Sequence, residues 1–178
     1  QHHLVEIKSE EKIAVFENIK TKEQVETKFD LLHIVPPMGT ADFIKTSSVA
    51  NSYGFVDVDK RTTQHVIYQN IFSIGDASSL PTSKTAAAVR ASFNILVDNL
   101  SLVMQKKEPE KMYDGYTSCP ILTRYGRVML AEFDYDLIPK ETFPFNQAKE
   151  RWSTYLLKRF FIPIIYWRGM MKGYKWPR

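Results

Sequence analysis

Apolar and polar residues alternate through the first part of the chain, in three short runs within residues 4–36: LVEI, KIAVFEN and VETKFDLLHIV. Alternation with a period of two puts successive side chains on opposite faces of a strand, so this part predicts a β-meander or hairpin. The run LLHIV is apolar almost throughout, which is typical of a strand buried on both faces of a parallel sheet. Residues 54–76 read as strand, exposed turn and strand.

The apolar spacing changes to three and four residues in KTAAAVRASFNILVDNLSLVMQK. This spacing predicts a helix, with Thr82 or Ser83 as its hydroxyl cap and Glu108–Pro109 as its end. The stretch SCPILTRYGRVMLAEFDY predicts a hairpin that turns at Tyr125–Gly126. Two apolar segments follow, an amphipathic helix over 147–158 and an aromatic segment over 160–176 that is broken at Pro163.

Charge is unevenly distributed along the 178 residues. The net charge is +4, but residues 149–178 contain eight Lys or Arg against one Glu, so the rest of the chain is slightly acidic. A diffuse basic surface is therefore not expected, and no nucleic-acid partner is predicted. One cysteine excludes an internal disulfide, and the four histidines lack the spacing of metal ligands, so no metal site is predicted.

The stretch FSIGDASSLPTSKTAAAV has the composition of a strand end, a tight turn and a helix start. A glycine at a strand end permits close approach of a ligand, and Asp76 could accept hydrogen bonds from sugar-type hydroxyls. The helix start offers free N–H groups to an anionic group, and Lys84 adds a positive charge there. The alternative is an ordinary turn with a capping aspartate and a solvated lysine.

Several stretches carry a resemblance to a known family: AVFEN, LLHIVPPM, VDVDKRTTQH, LPTSKTAAAV, YDGYTSCPILT, RVMLAEFDY and ETFPFNQAKERWSTYLLK. The chain resembles the two-dinucleotide-binding-domain flavoproteins and, among them, the mitochondrial sulfide:quinone oxidoreductases. The resemblance implies an α/β fold, the C-terminal part of a tandem Rossmann-like FAD/NAD(P)-binding flavoprotein, with an added hairpin and amphipathic C-terminal helices. Residues 1–53 would end the second, NAD-like Rossmann domain, 54–108 the FAD-binding domain, and 109–178 would face quinone and membrane.

The resemblance also assigns roles to single residues. Gly75 and Asp76 would contact FAD, and Lys84 and Thr85 would lie at the pyrimidine edge of its ring. Because the glycine-rich diphosphate motif of the family would lie upstream of residue 1, the isolated chain is expected to bind FAD poorly and to be inactive. Candidate walls of a quinone channel are Phe133, Phe143 and Phe145, for which ordinary core packing is the alternative.

Position 77 departs from the family pattern. One of two redox cysteines is expected directly after Gly75–Asp76, where its thiolate would accept sulfide sulfur. The chain has Ala77 there, so no catalytic residue is assigned. Cys119 belongs to the later hairpin and is expected to be a buried structural thiol.

The segment WSTYLLKRFFIPIIYWRGMMKGYKWPR combines aromatic, aliphatic and basic residues. It suits helices that lie in the surface of a membrane, with packing on their own domain as the alternative. With the resemblance, this predicts a peripheral protein of the mitochondrial inner membrane.

Three functions follow. The first is the C-terminal part of a flavoenzyme that passes electrons from sulfide to a ubiquinone-like quinone, with a thiol or sulfite as the sulfur acceptor. The second is a related flavin-dependent quinone reductase without sulfide chemistry. The third is a non-catalytic, truncated membrane-surface paralogue.

Overall fold

The computed structural model describes residues 1–174 and divides the chain into two compact units, residues 1–38 and the residues from 39 onward. Each unit is described by itself. Together they mix helices with small sheets, which is compatible with the predicted α/β class.

The first unit is a three-stranded antiparallel meander. Its strands are β1 (His2–Lys8), β2 (Ile13–Asn18) and β3 (Gln24–Lys28), with β2 in the centre. The alternating pattern therefore predicted these elements correctly. Ala14 and Val15 of the central strand are buried, and β3 is exposed along its whole length.

The prediction of a buried parallel strand at LLHIV is wrong. Residues 31–35 form neither strand nor helix, and Leu31 is 91% exposed. A parallel strand needs a neighbour that supplies its hydrogen bonds. Within residues 1–174 the one parallel pairing is an isolated bridge between Val56 and Ser78, so no such neighbour lies beside residues 31–35.

The core of the second unit is a cluster of buried side chains from three separate stretches: Val56, Val58, Leu80, Tyr113 and Tyr116. The strands predicted within residues 54–76 are present as isolated bridges only, Val58 with His65 and Gln64 with Phe72. Between these bridges the chain forms a turn, in which the side chain of Asp59 accepts hydrogen bonds from the amides of Arg61 and Thr62. A short helix, α1 (Asp42–Lys45), precedes this region.

The long helix of the second unit is α2 (Ala86–Met104). Its cap is Thr85, not the predicted Thr82 or Ser83, because the hydroxyl of Thr82 donates instead to the carbonyl of Gly115. The buried amide of Asn99 attaches α2 to two loops: its Nδ2 donates to the carbonyls of Thr62 and Lys111 at 3.0 and 2.9 Å. Among the described residues α2 alone is long and apolar enough to cross a membrane, a test that core helices of soluble proteins also pass.

The predicted hairpin is confirmed. Strands β4 (Thr117–Arg124) and β5 (Arg127–Phe133) pair in antiparallel fashion around a two-residue turn at Tyr125–Gly126. Gly126 has φ +74°, a conformation that glycine adopts at little cost. Val128 and Leu130 of β5 are buried.

The C-terminal helix starts later than predicted. Residues 147–151 run along β5, where Gln147 accepts from the amide of Leu130, and Arg151 and Val128 exchange two backbone hydrogen bonds. Helix α3 (Trp152–Leu156) therefore begins only after this pairing ends.

Pro163 does not break the segment that follows. A π-helical turn, Leu157–Phe161, leads directly into α4 (Ile162–Arg168), and Pro163 lies in the first turn of α4. The hydrogen-bond pattern of the helix changes at the π-helical turn directly before Pro163, so the missing N–H of this proline falls where the regular α-helical ladder is already interrupted. A 3-10 turn, Met170–Lys172, comes next. The end of the predicted aromatic and basic segment lies outside the described residues, with Lys175, Trp176 and Arg178.

Candidate functional site

A cavity of about 500 Å³ lies in the second unit, beside the N-terminus of α2. Its volume is within the usual range for small-molecule sites. The walls come from four separate parts of the chain: Phe55, Ser78, Ser79, Leu80, Pro81, Thr82, Ser83, Lys84, Thr117, Phe133, Asp134 and Leu137. Two predicted residues, Lys84 and Phe133, therefore meet in one cavity although each was assigned from a different motif.

Lys84 provides the positive charge of this cavity. Its Nζ donates to the carbonyls of Ser78 at 2.7 Å and Leu80 at 3.4 Å, and lies 5.1 Å from the centre of the Phe55 ring. Burial lowers the pKa of Lys84, and the nearby carboxylate of Asp76 opposes part of that shift. A half-buried ammonium held over an aromatic ring can pair with an anionic or electron-rich ligand group.

Thr85 ends the turn and starts the helix. Its hydroxyl accepts from the amide of Ala88 at 3.1 Å, which fixes the first turn of α2. The same oxygen lies 3.0 Å from the hydroxyl of Thr117, a buried residue at the start of β4. Thr85 thus joins the helix end to the hairpin.

Gly75 is required by its geometry. Its φ is +68°, and a Cβ built on it would lie 3.2 Å from Cγ2 of Val89 in α2. Gly75, Lys84 and Thr85 also line a much smaller cavity of about 10 Å³. The side chain of Asp76 is exposed and does not line the large cavity. Its carboxylate acts on that cavity indirectly, because it raises the pKa of Lys84.

Ala77 lies half-buried against the core cluster, and its carbonyl accepts from the amide of Val56 at 2.9 Å. An alanine side chain offers no group that could accept sulfur. The predicted burial of Cys119 is wrong, because this residue is exposed on β4 opposite Ala131.

The structure separates the three predicted phenylalanines. Phe133 lines the cavity, while Phe143 and Phe145 stack on each other with ring centres 5.3 Å apart and nearly parallel planes. The guanidinium of Arg151 lies 4.7 Å from the centre of the Phe145 ring. This aromatic pair therefore has its own contacts and is not a wall of the large cavity.

A buried carboxylate supports the segment that leads to Phe143. Glu132 accepts from the amide of Thr142 at 2.9 Å, from the Thr142 hydroxyl at 2.8 Å, and from the hydroxyl of Tyr116. Burial and this hydrogen bond raise the pKa of Tyr116. Neither Tyr116 nor Glu132 was identified from the sequence, since a single acid in a strand pattern gives no local signal of burial.

Several cavity residues also escaped sequence reasoning. Ser78 and Ser79 lie inside the motif that contains Asp76 and Lys84, and their position between these two residues could have indicated them. Phe55 and Asp134 come from distant segments, and only the folded chain brings them to Lys84. Within residues 1–174 no group of three or more His, Cys, Asp or Glu side chains is placed to hold a metal ion.

Comparison with curated proteins relates nearly the whole chain to one kind of enzyme. It is 51% identical over 175 residues to the mitochondrial sulfide:quinone oxidoreductase of Mus musculus, and 50% identical over 173 residues to that of Dictyostelium discoideum. The protein of the same name from Schizosaccharomyces pombe is 45% identical over 178 residues. The predicted resemblance to the sulfide:quinone oxidoreductases is confirmed. These matches cover 97–98% of the chain, which spans only 38–39% of the length of these relatives.

Among solved structures, the fold is similar to that of a chain in the Tetrahymena thermophila mitochondrial ATP synthase, with a TM-score of 0.78. The identity is 23%, and the match covers 99% of this chain and 43% of the other. At that identity the likeness concerns the fold alone. No protein-family model matches the chain.

Proposed function

We propose that this chain is part of a flavin-dependent, membrane-associated oxidoreductase that passes electrons from sulfide to a quinone. The observation that carries the proposal is the cavity at the N-terminus of α2, in which Lys84 and Phe133 meet. The identity to curated sulfide:quinone oxidoreductases supports the same activity. Because the chain spans about two fifths of those relatives, we expect residues 1–178 alone to be inactive.

In this proposal the chain supplies the last parts of a tandem Rossmann-like flavoprotein. Residues 1–53 belong to the second, NAD-like domain, residues 54–108 to the FAD-binding domain, and residues 109–178 to a quinone- and membrane-facing region. The meander of β1–β3 lies within the first of these ranges and the turn before α2 within the second, whereas the two compact units of this chain meet between residues 38 and 39.

The residues at the start of α2 fit one end of FAD. A Cβ at Gly75 would make a tight contact of 3.2 Å with Cγ2 of Val89, and the small Ala86 and Ala87 follow at the start of the helix, where free N–H groups collect. Lys84 adds an ammonium whose contacts are backbone carbonyls and one aromatic ring. Gly75, Asp76, Lys84 and Thr85 would hold the cofactor. When bound, FAD would accept two electrons from the sulfide side and release them to quinone.

The chain's own residues have distinct tasks at this site. Lys84 and the N-terminus of α2 would stabilise negative charge on the bound ring. Phe133 offers an aromatic wall to a flat quinone head group in the same cavity, and Phe143 and Phe145 would border the approach. Quinone takes up two electrons and two protons to become quinol, while sulfide loses two electrons to become zero-valent sulfur that a thiol or sulfite acceptor removes.

The C-terminal helices support attachment to the membrane surface. Exposed aromatic and aliphatic side chains run along them: Trp152, Phe160, Phe161, Ile164, Tyr166, Trp167, Met171 and Tyr174. Arg159, Arg168 and Lys172 lie among these residues and suit anionic headgroups. A quinone dissolves in the bilayer, so an enzyme that reduces it gains from lying on that surface. The mitochondrial inner membrane is the proposed location.

Ala77 favours a second candidate function. Because this position has no thiol, the sulfur capture expected there cannot occur on this chain, and a quinone reductase with another electron donor becomes the alternative. Full-length protein with Ala77 and the A77C variant should both be yellow with bound flavin. If the sulfide function holds through Ala77, sulfide reduces a soluble quinone analogue with both proteins.

The results separate the candidates. Quinone reduction from NADH but not from sulfide by the Ala77 protein would establish the second function. Gain of sulfide-dependent turnover in A77C alone would show that position 77 decides the donor. A full-length protein without flavin would overturn both proposals.

A further inference from the structure

We propose that the end of the β4–β5 hairpin is a second membrane contact, which enters the lipid surface beside the C-terminal helices. This inference rests on the proposed function, because the attachment of those helices to a membrane is proposed there. The contact consists of residues 121–127, the hairpin tip, which include the turn at Tyr125–Gly126.

The hairpin tip exposes apolar side chains on both of its faces. Ile121 and Leu122 are consecutive residues of β4, so their side chains point to opposite faces of the strand, and both are exposed. Tyr125 at the turn is 87% exposed. Single exposed apolar residues are common on soluble proteins, but three large ones within five residues indicate a surface that meets a partner or a membrane.

Side chains of the C-terminal helices hold the hairpin tip in place. Nζ of Lys158 donates to the carbonyl of Pro120 at 2.6 Å. The rings of Tyr125 and Tyr155 have centres 6.0 Å apart, and the guanidinium of Arg159 donates to the Tyr155 hydroxyl at 2.6 Å. The hairpin tip and the start of the helical segment therefore belong to one surface.

Trp152 continues this surface at the turn. It is the first residue of α3 and is exposed, and its Cδ1 lies 3.8 Å from the position of a Cβ built on Gly126. Trp and Tyr are enriched where a membrane meets water, because their rings are apolar while their N–H or O–H groups stay hydrated. Trp152 and Tyr125, on either side of the turn glycine, suit that level of the membrane.

The charges around the hairpin tip favour lipid as its partner. Residues 120–127 and 150–159 contain five Lys or Arg against one acidic residue, Glu150. Glu150 pairs with Arg124 at 2.5 Å, and Arg127 is exposed on the other strand of the turn. Such a basic surface is attracted to anionic headgroups. A second copy of this chain would instead place the same cations opposite each other across a two-fold axis, which is unfavourable.

The test measures sedimentation of full-length protein with vesicles of phosphatidylcholine, with and without phosphatidylglycerol. L122S/Y125S makes two exposed positions of the hairpin tip polar, so the fold should be retained. L122F/Y125W keeps both positions apolar. The matched control is Y53S/I67S, which removes an exposed tyrosine and an exposed aliphatic side chain from loops elsewhere in the second unit. The thermal midpoint and the molecular mass without lipid are measured for each protein.

Taking one Leu-sized side chain out of water changes an equilibrium about tenfold. We therefore expect L122S/Y125S to bind the anionic vesicles at least about tenfold more weakly than wild type, at an unchanged thermal midpoint. L122F/Y125W should bind at least as well as wild type, and Y53S/I67S should bind as wild type does.

The other outcomes contradict the inference in different ways. Wild-type binding by L122S/Y125S, or an equal loss in Y53S/I67S, would overturn the role of the hairpin tip and leave attachment through the helices standing. A lower molecular mass of lipid-free L122S/Y125S would show that the hairpin tip joins two copies instead of binding lipid. Failure of wild-type protein to bind either kind of vesicle would overturn the proposed membrane attachment itself.

Discussion

The ring of Tyr135 occupies the space that a side chain at Gly115 would need. Gly115 has φ +83°, and a Cβ built on it would overlap the ring carbon Cγ of Tyr135. The ring is held in place at its far end, where its hydroxyl donates to the carbonyl of Lys60 at 2.6 Å. Tyr113 packs edge-on against it with ring centres 5.6 Å apart. This contact fixes the segment that enters β4 next to the large cavity.

Gly115→Ala should therefore be strongly destabilising. The alanine would have to adopt a left-handed backbone conformation, which costs about 1 kcal/mol. Its Cβ would also overlap a packed ring, which costs about 2 kcal/mol. We expect the free energy of unfolding to fall by about 3 kcal/mol in urea titrations followed by tryptophan fluorescence.

Gly126→Ala is the matched control for this prediction. Gly126 also has a positive φ, but the atom nearest to a Cβ built on it, Cδ1 of Trp152, is 3.8 Å away. We expect a loss of about 1 kcal/mol from the conformation alone. Equal losses in the two variants would show that the Tyr135 ring moves aside freely.

The second prediction concerns the pH dependence of cofactor binding. Burial lowers the pKa of Lys84 below its usual 10.5, so its ammonium loses its proton at a lower pH than a solvated lysine does. If the charged form holds the cofactor, FAD affinity should fall as pH rises through that lowered pKa. Equilibrium titration of full-length protein from about pH 7 to about pH 10.5 measures the effect. In the absence of ligand the sign is opposite, because the unfolded chain binds more protons there and stability contributed by Lys84 rises with pH.

K84R separates the charge of Lys84 from its proton. An arginine remains charged over this range, so the alkaline loss of affinity should disappear in the variant even if affinity near neutral pH is lower. An unchanged alkaline loss in K84R would assign the titration to another group.

The third prediction concerns the buried imidazole of His65. Its Nδ1 accepts from the amides of Ile67 at 2.9 Å and Tyr68 at 3.1 Å, and its Nε2 lies 3.1 Å from the carbonyl of Val49. His65→Leu leaves two amides without an acceptor, at about 1–3 kcal/mol each. We expect amide hydrogen exchange in residues 66–70 to become at least about tenfold faster.

His65→Asn should restore much of the protection, since the asparagine Oδ1 can take the place of Nδ1. His33→Leu serves as a control, because His33 is exposed and lies outside this turn. Exchange that is equally fast in the leucine and asparagine variants would mean that these two hydrogen bonds do not hold the turn.

The sequence predicted the elements whose patterns are local. The meander of β1–β3, the hairpin turn at Tyr125–Gly126 and the body of α2 follow from alternation, a turn glycine and helical spacing. The motif that contains Lys84 also identified the end of α2 as a candidate site. These features depend on residues close together in the chain, so a pattern along the sequence is sufficient.

The errors arise where distant residues decide the structure. Residues 147–151 have a helical pattern but pair with β5, and this long-range pairing delays α3 until Trp152. Thr82 has the properties of a cap, but its hydroxyl bonds to Gly115, so Thr85 takes that role. Phe55 and Thr117 were missed at the cavity for the same reason: no local pattern connects them to Lys84.

The last prediction concerns the membrane surface formed by the C-terminal helices. Phe161 is 58% and Trp167 64% exposed, and both lie on the segment that ends in basic residues. Removing two large apolar side chains from a membrane contact weakens binding by about 2–3 kcal/mol each. The F161A/W167A variant of full-length protein should therefore sediment far less with vesicles that contain anionic lipid. Salt should weaken the remaining binding, because the cations act through screened attraction.

Phe43→Ala provides the control for an exposed aromatic elsewhere. Phe43 lies on α1 and is 76% exposed, so its loss removes one exposed aromatic side chain, against two in F161A/W167A, from another part of the second unit. We expect F43A to sediment as wild type, and the thermal midpoints of all three proteins to agree within a few degrees. Continued sedimentation of F161A/W167A at the wild-type level would exclude these helices as the membrane contact, and equal loss in F43A would indicate non-specific adhesion of exposed aromatic residues.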